Sequence, residues 1–148
     1  MKILNKKEIK KIIDELKDYY EIKDLELDYT FLKDNKDKIY IVSNDFKLLN
    51  SKDLRISGLG LYFINTIKGL RLSIEGSQII GKQAKKNIYE ISDDEIKEWL
   101  KGYDLECSKE LNGYQLIKNK NDFYGVGFAF NEKIRNFIPR ERRIKGNV

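Results

Sequence analysis

Histidine is absent from the 148 residues, and cysteine, proline, methionine and tryptophan occur once each. Lack of histidine removes the commonest metal ligand and acid–base side chain. A lone Cys107 builds neither an internal disulfide nor a thiolate zinc site. Zinc chemistry and His-dependent catalysis are thereby set aside. No run approaches the ~20 apolar residues that cross a bilayer, and the opening MKILNKKEIKK has no signal-peptide apolar stretch. The expectation is a cytoplasmic protein with no membrane partner. A chain with 41% hydrophobic residues is too apolar for a disordered tail, and its length suits one domain or two small ones.

Positive charge is unevenly placed. The segment KIRNFIPRERRIK, residues 133–145, holds Lys133, Arg135, Arg140, Arg142, Arg143 and Lys145 against one acid, Glu141. Subtracting these six and one from the 29 basic and 24 acidic residues leaves 23 of each, so the whole excess of +5 sits in this segment. A basic patch on a neutral body is the footprint of a phosphate-backbone binder, although charge alone fits a solvated tail equally well. Arginine is the sharper candidate, because guanidinium holds phosphate through two parallel hydrogen bonds and stacks on bases. Pro139, with fixed φ and no N–H, is suited to end a strand and aim the RERR that follows it. A second cluster, Lys68, Arg71, Lys82, Lys85 and Lys86 against Glu75, gives +4 over residues 68–86. Its lysines either contact phosphate or complement the dipole at a helix C-terminus.

The pattern along the chain predicts an α+β protein in two parts, residues 1–86 and 87–148. Asn5 and Glu8 form a capping-box pattern ahead of Ile9, Ile12, Ile13, Leu16 and Tyr20, which share one helical face. Two alternating runs, LELDYTFLK and KIYIVSN, read as a hairpin with Leu27, Tyr29 and Phe31 on one face, and DFKLLN follows as an apolar turn. A strand pair turning near Lys68–Gly69 comes next, and EGSQIIGKQAKK reads as a second helix with Ile79, Ile80 and Ala84 toward the sheet. In the second part, NIYEI reads as a strand and SDDEIKEWLKG as a short helix capped by Ser92 and Glu95 and stopped by Gly102. GYQLIKN and FYGVGFAFN read as strands joined through KNKND, with Gly125 and Gly127 marking a bulge or a close backbone approach.

Chemistry-bearing patterns are sparse. Asp93, Asp94 and Glu95 fall at a helix N-terminus, where capping and the dipole account for them. GLGLYF lacks the third glycine and the helix start of a nucleotide loop and reads as core strand. Trp99 shares a helix face with Ile96 and reads as a buried anchor rather than a stacking platform. Most aromatics fall at alternating positions that fill a small barrel, with Tyr103, Tyr114 and Tyr124 as exceptions open to bases. Cys107 carries no assigned role.

The order of GLYFINTIKGLRLSIEGSQIIGKQAK, a strand, DDEIKEWLKGYDL, GYQLIKNKNDFYGVGFAF and NFIPRERRI resembles PUA-type RNA-binding regions. Over residues 58–144 the resemblance is to the C-terminal region of Sun/Fmu-family RNA cytosine methyltransferases. It rests on Gly60, Arg71, Trp99, Gly102, Leu105, Gly113, Gly125, Gly127, Asn136, Pro139 and the arginines. By architecture, including the first helix and KIYIVSNDFKLL, the whole chain is similar to small ribosome-biogenesis factors built of an α/β domain and a PUA domain. The resemblance implies an N-terminal α/β unit with an antiparallel sheet, then a PUA-like mixed β pseudo-barrel. The methyltransferase's Rossmann domain for S-adenosylmethionine and its proline-preceded catalytic cysteine have no counterpart here, since Cys107 lies in LECSK. The expectation is therefore a non-catalytic protein without cofactor or metal that binds structured RNA, rRNA or tRNA, in ribosome biogenesis or RNA modification. Arg71, Lys82, Lys85, Lys86, Arg135, Asn136, Arg140, Arg142, Arg143 and Lys145 are its candidate contacts. A ribosome-assembly or RNA-modification protein is a candidate partner for the N-terminal unit. The alternative is a protein-interaction adaptor, or a targeting subunit for a separate RNA-modifying enzyme.

Overall fold

The computed structural model describes residues 1–44 and 60–145. The tract DFKLLN and residues Gly58 and Leu59 of GLGLYF lie outside them. The chain is α+β and divides into two compact units, Met1–Gly76 and Ser77–Val148. Among the described residues no helix is long and apolar enough to cross a membrane.

The first unit places one helix with a five-stranded antiparallel sheet. Helix α1 (Lys6–Tyr20) starts at the predicted Asn5, whose side chain accepts from the Glu8 N–H while the Glu8 carboxylate accepts from the Asn5 N–H. Both reciprocal bonds satisfy donors that a helix start leaves orphaned. Ile12, Leu16 and Tyr20 are buried, as the periodicity requires. The strands β1 (Lys2–Ile3), β2 (Tyr29–Lys33), β3 (Lys38–Ser43), β4 (Leu61–Asn65) and β5 (Arg71–Leu72) lie in that order in the sheet. The first hairpin strand is shorter than expected, and Tyr29 at its start is exposed while Phe31 and Leu32 are both buried. Both faces of this strand are thus covered, which an alternating inside–outside reading does not anticipate. Phe31 meets Phe63 edge-on at 6.1 Å, and a register shift beside Ile39 lets the adjacent Phe63 and Ile64 both be fully buried. Of the GLGLYF tract, Leu61, Tyr62 and Phe63 open β4, and of these Phe63 is in the core while Leu61 is exposed.

Helix α2 (Ile74–Gly81) stops short of the expected Lys86. Turn bonds from the Gln83 N–H to the Ile80 carbonyl and from Ala84 to Gly81 close the chain after it. Gly81 presses so closely on Phe123 that a Cβ would lie 2.5 Å from the ring. No basic residue falls in the helix's last turn, so Lys82, Lys85 and Lys86 follow the helix instead of complementing its dipole from within.

The second unit is a mixed half-barrel. Its strands β6 (Ile88–Glu90), β7 (Leu105–Glu106), β8 (Gly113–Asn119), β9 (Asp122–Phe130) and β10 (Lys133–Asn136) take the order β6-β8-β9-β10-β7. The β6–β8 pair is parallel and the others are antiparallel. Helix α3 (Asp93–Leu100) carries the predicted Ser92–Glu95 box. Trp99 is fully buried, with its indole N–H donating to the Tyr124 carbonyl at 2.8 Å. The two glycines of β9 divide the roles expected of them. Gly125 has φ +88°, a conformation that costs other residues a Cβ clash, at the register shift between β8 and β9. Gly127 is a close approach: a Cβ there would meet Ile134 at 2.2 Å and Trp99 at 2.8 Å. Gly127→Ala is expected to cost about 1–3 kcal/mol by overpacking, read as a lower denaturation midpoint at unchanged m-value.

Candidate nucleic-acid interface

The basic segment does not trail into solvent at its start. It is fastened to the C-terminal end of α3, where the last carbonyls of a helix need donors. Asn136 does most of this. Its amide nitrogen donates to the Trp99 carbonyl at 2.8 Å and the Tyr103 carbonyl at 2.9 Å, and its amide oxygen accepts from the Ile138 N–H at 2.8 Å. Its own N–H donates to Asp104 Oδ1 at 2.8 Å. Farther along, the Ile144 N–H donates to the Leu100 carbonyl at 2.9 Å. Gly102, at φ +97°, makes the sharp exit from α3 and leaves room for the Arg143 guanidinium beside it.

Between these fastenings runs a single tight turn. The strand ends at Asn136, three residues before Pro139. Proline instead opens the 3-10 turn Arg140–Arg142, its carbonyl accepting from the Arg142 N–H at 2.9 Å. Pro139 therefore starts the turn and does not end the strand, in keeping with its fixed φ and missing N–H.

The candidate residues separate by what their side chains do. Arg140, Arg142 and Lys145 are exposed on and after the turn, and Arg135 is exposed on β10 with its guanidinium 5.4 Å from the centre of the Phe137 ring. Arg143 is half-buried and donates through Nε to the Ile138 carbonyl at 3.0 Å. Asn136 is buried, its side chain committed to the bonds above. These two shape the segment. Lys82, Lys85 and Lys86 are exposed after α2, and Lys82 borders a shallow cleft of about 290 Å³ with Gln78, Asn121 and Phe123. Arg71 lies in the first unit, half-buried on β5.

Burial, and then the Glu132 carboxylate, push the Cys107 thiol up, away from the thiolate form that attacks electrophiles. Asp93 is held below the usual carboxylate range by the Asn119 amide and by Lys120, which makes it part of the α3 start. Among the described residues no three His, Cys, Asp or Glu side chains gather as a metal site.

On strand β9 two aromatic side chains depart from the expected barrel filling. Phe128 and Phe130 are 37% and 67% exposed. Of the three tyrosines set apart as exceptions, Tyr103 is exposed while Tyr114 and Tyr124 are half-buried. The signal lies in β9, where Gly127 and Ala129 mark the closely packed face and thereby assign Phe128 and Phe130 to the other.

Residues 86–144 match the family model described as the methyltransferase RsmF PUA domain. No curated protein matches the chain. The match covers the half-barrel from Lys86 through the whole fastened segment, and a PUA domain suggests RNA as the partner. Over residues 86–144 the chain is thus similar to the PUA domain of the Sun/Fmu-family methyltransferases.

Proposed function

We propose that this protein is a non-catalytic, cytoplasmic RNA-binding protein that recognises structured RNA, rRNA or tRNA, in ribosome biogenesis or RNA modification. The observation that carries the reading is the fixing of the basic segment: the stretch holding the chain's entire positive excess is tied to α3, with Arg135, Arg140, Arg142 and Lys145 turned to solvent. A pre-ordered cationic turn loses less conformational entropy on meeting a phosphate backbone than a free tail does. Recognition of folded RNA by shape and phosphate needs little else.

The test is a salt series with total tRNA and rRNA fragments. The Arg140→Ala/Arg142→Ala pair is the suitable variant, because Arg143 also holds the turn's internal geometry. Each phosphate that is no longer neutralised is expected to lower the slope of log affinity against log salt by roughly 0.7–0.9. Removing both arginines should therefore reduce the slope by roughly 1.5 and weaken binding to every RNA alike. Unchanged binding would transfer the phosphate contacts to Lys82, Lys85 and Lys86. Failure of the wild type to bind any RNA would favour the protein-adaptor reading.

A further inference from the structure

The outer face of β8, β9 and β10 carries an aromatic row that phosphate binding does not use. Tyr114 is the register partner of Phe128, and Phe128 of Arg135. The Tyr114 and Phe128 rings meet edge-to-face at 5.1 Å, and Phe137 lies 6.3 Å from Tyr114. The Arg135 guanidinium sits 5.4 Å from the centre of the Phe137 ring. Phe130 and Lys133, register partners, form the next rung of the same face, with Glu106 opposite Lys133 on β7.

We propose that this row is a stacking site for an unpaired nucleobase of RNA. In an edge-to-face pair at least one ring keeps a face that the other does not cover. Phe128, 37% exposed, offers such a surface to a base, because every base has a π-face, and stacking tolerates any sequence. The charge is complementary: Arg135 stands within the row, Lys133 on the next rung, and both open the segment that carries the chain's net positive charge. Guanidinium serves such a site twice, stacking on a base or gripping the adjoining phosphate. A purely apolar protein partner would instead have to desolvate these cations without compensation. The exposure is also directional. On the opposite face of β9, Gly127 is packed against Trp99 and Ile134 and Ala129 is fully buried, so the large rings face away from the core.

This site rests on the RNA-binding reading above and adds to it a place for unpaired bases beside the phosphate turn. It is tested with a fluorescein-labelled single-stranded oligoadenylate and a blunt RNA duplex, each titrated by anisotropy against wild type, Phe128→Ala and Phe128→Trp. Phe128→Ala is expected to weaken oligoadenylate binding about five- to a hundred-fold, with the duplex affinity and the salt slope unchanged, and Phe128→Trp to restore it. Phe130→Ala, at the most exposed ring of the face, keeps the test open should Phe128→Ala fail to fold. Retained oligoadenylate affinity in both alanine variants, with the duplex still bound, overturns the stacking site alone. Binding of neither RNA by the wild type overturns the RNA-binding reading and the stacking site together.

Discussion

Trp99→Ala is expected to be the most damaging single substitution in the second unit, costing about 3–5 kcal/mol. The indole is fully buried under the half-barrel, lies where Gly127 has no Cβ, and donates to the Tyr124 carbonyl at 2.8 Å. Truncation leaves a cavity and also strands that carbonyl without its donor, and the two effects act together. Against total stabilities of about 5–15 kcal/mol for a typical domain, such a change leaves little reserve. Urea unfolding followed by far-UV circular dichroism measures it, since no other tryptophan is present as a fluorescent probe. Trp99→Phe, which retains most of the packing, is expected to recover the larger part. A midpoint for Trp99→Ala close to that of wild type would mean the core does not depend on this ring.

Asn136→Ala is expected to follow closely, at about 2–4 kcal/mol, because three hydrogen bonds made by one buried side chain are lost at once. The Tyr103 carbonyl and the Ile138 N–H both bond this one amide, and the Trp99 carbonyl, which also accepts from the Gly102 N–H at 3.0 Å, takes its second bond from it. Asn136→Asp should be no better, since a carboxylate oxygen would face the two carbonyls where an NH₂ group now donates. RNA affinity is expected to fall in Asn136→Ala as well, through loosening of the turn. The two causes can be separated: a side chain acting by direct contact would lower affinity while leaving the urea midpoint unmoved, whereas the clamp lowers both.

Much of this architecture can be read locally. Asn5–Glu8 and Ser92–Glu95 set both helix starts because capping boxes depend on residues three positions apart. Gly125 and Gly127 point to a bulge and a close approach, and each is found. What the pattern does not reveal is decided by residues distant in sequence. Gly81, the last residue of α2, packs against Phe123, more than forty positions away, and the lysines that continue the helical pattern lie beyond the helix. Phe31 and Leu32 are both buried because the first sheet is covered on two sides. In the candidate site, the arginine-rich turn is visible as charge, yet charge cannot tell Arg143, which holds the Ile138 carbonyl, from Arg140, which faces solvent. Asn136 stands out in the sequence for its basic neighbours and the resemblance, not for its hydrogen bonds, and proves to be the clamp that orders the segment. The outward Phe128 and Phe130 follow from the alternation with Gly127 and Ala129 that comes after the bulge, a local signal that the reading of aromatics as barrel filling passes over.

The borders of the half-barrel sheet limit how it meets other molecules. Its outermost strands, β6 and β7, are only three and two residues long, so few main-chain amides and carbonyls stand unpaired along either margin. A visiting extended peptide would find almost no template to zip onto, and a second copy of the sheet no margin long enough to join in a continuous ribbon. Strand pairing is thereby a poor route for recognition along β6 and β7, which shifts the burden to side chains on the surface and ties selectivity to the identity of a few residues.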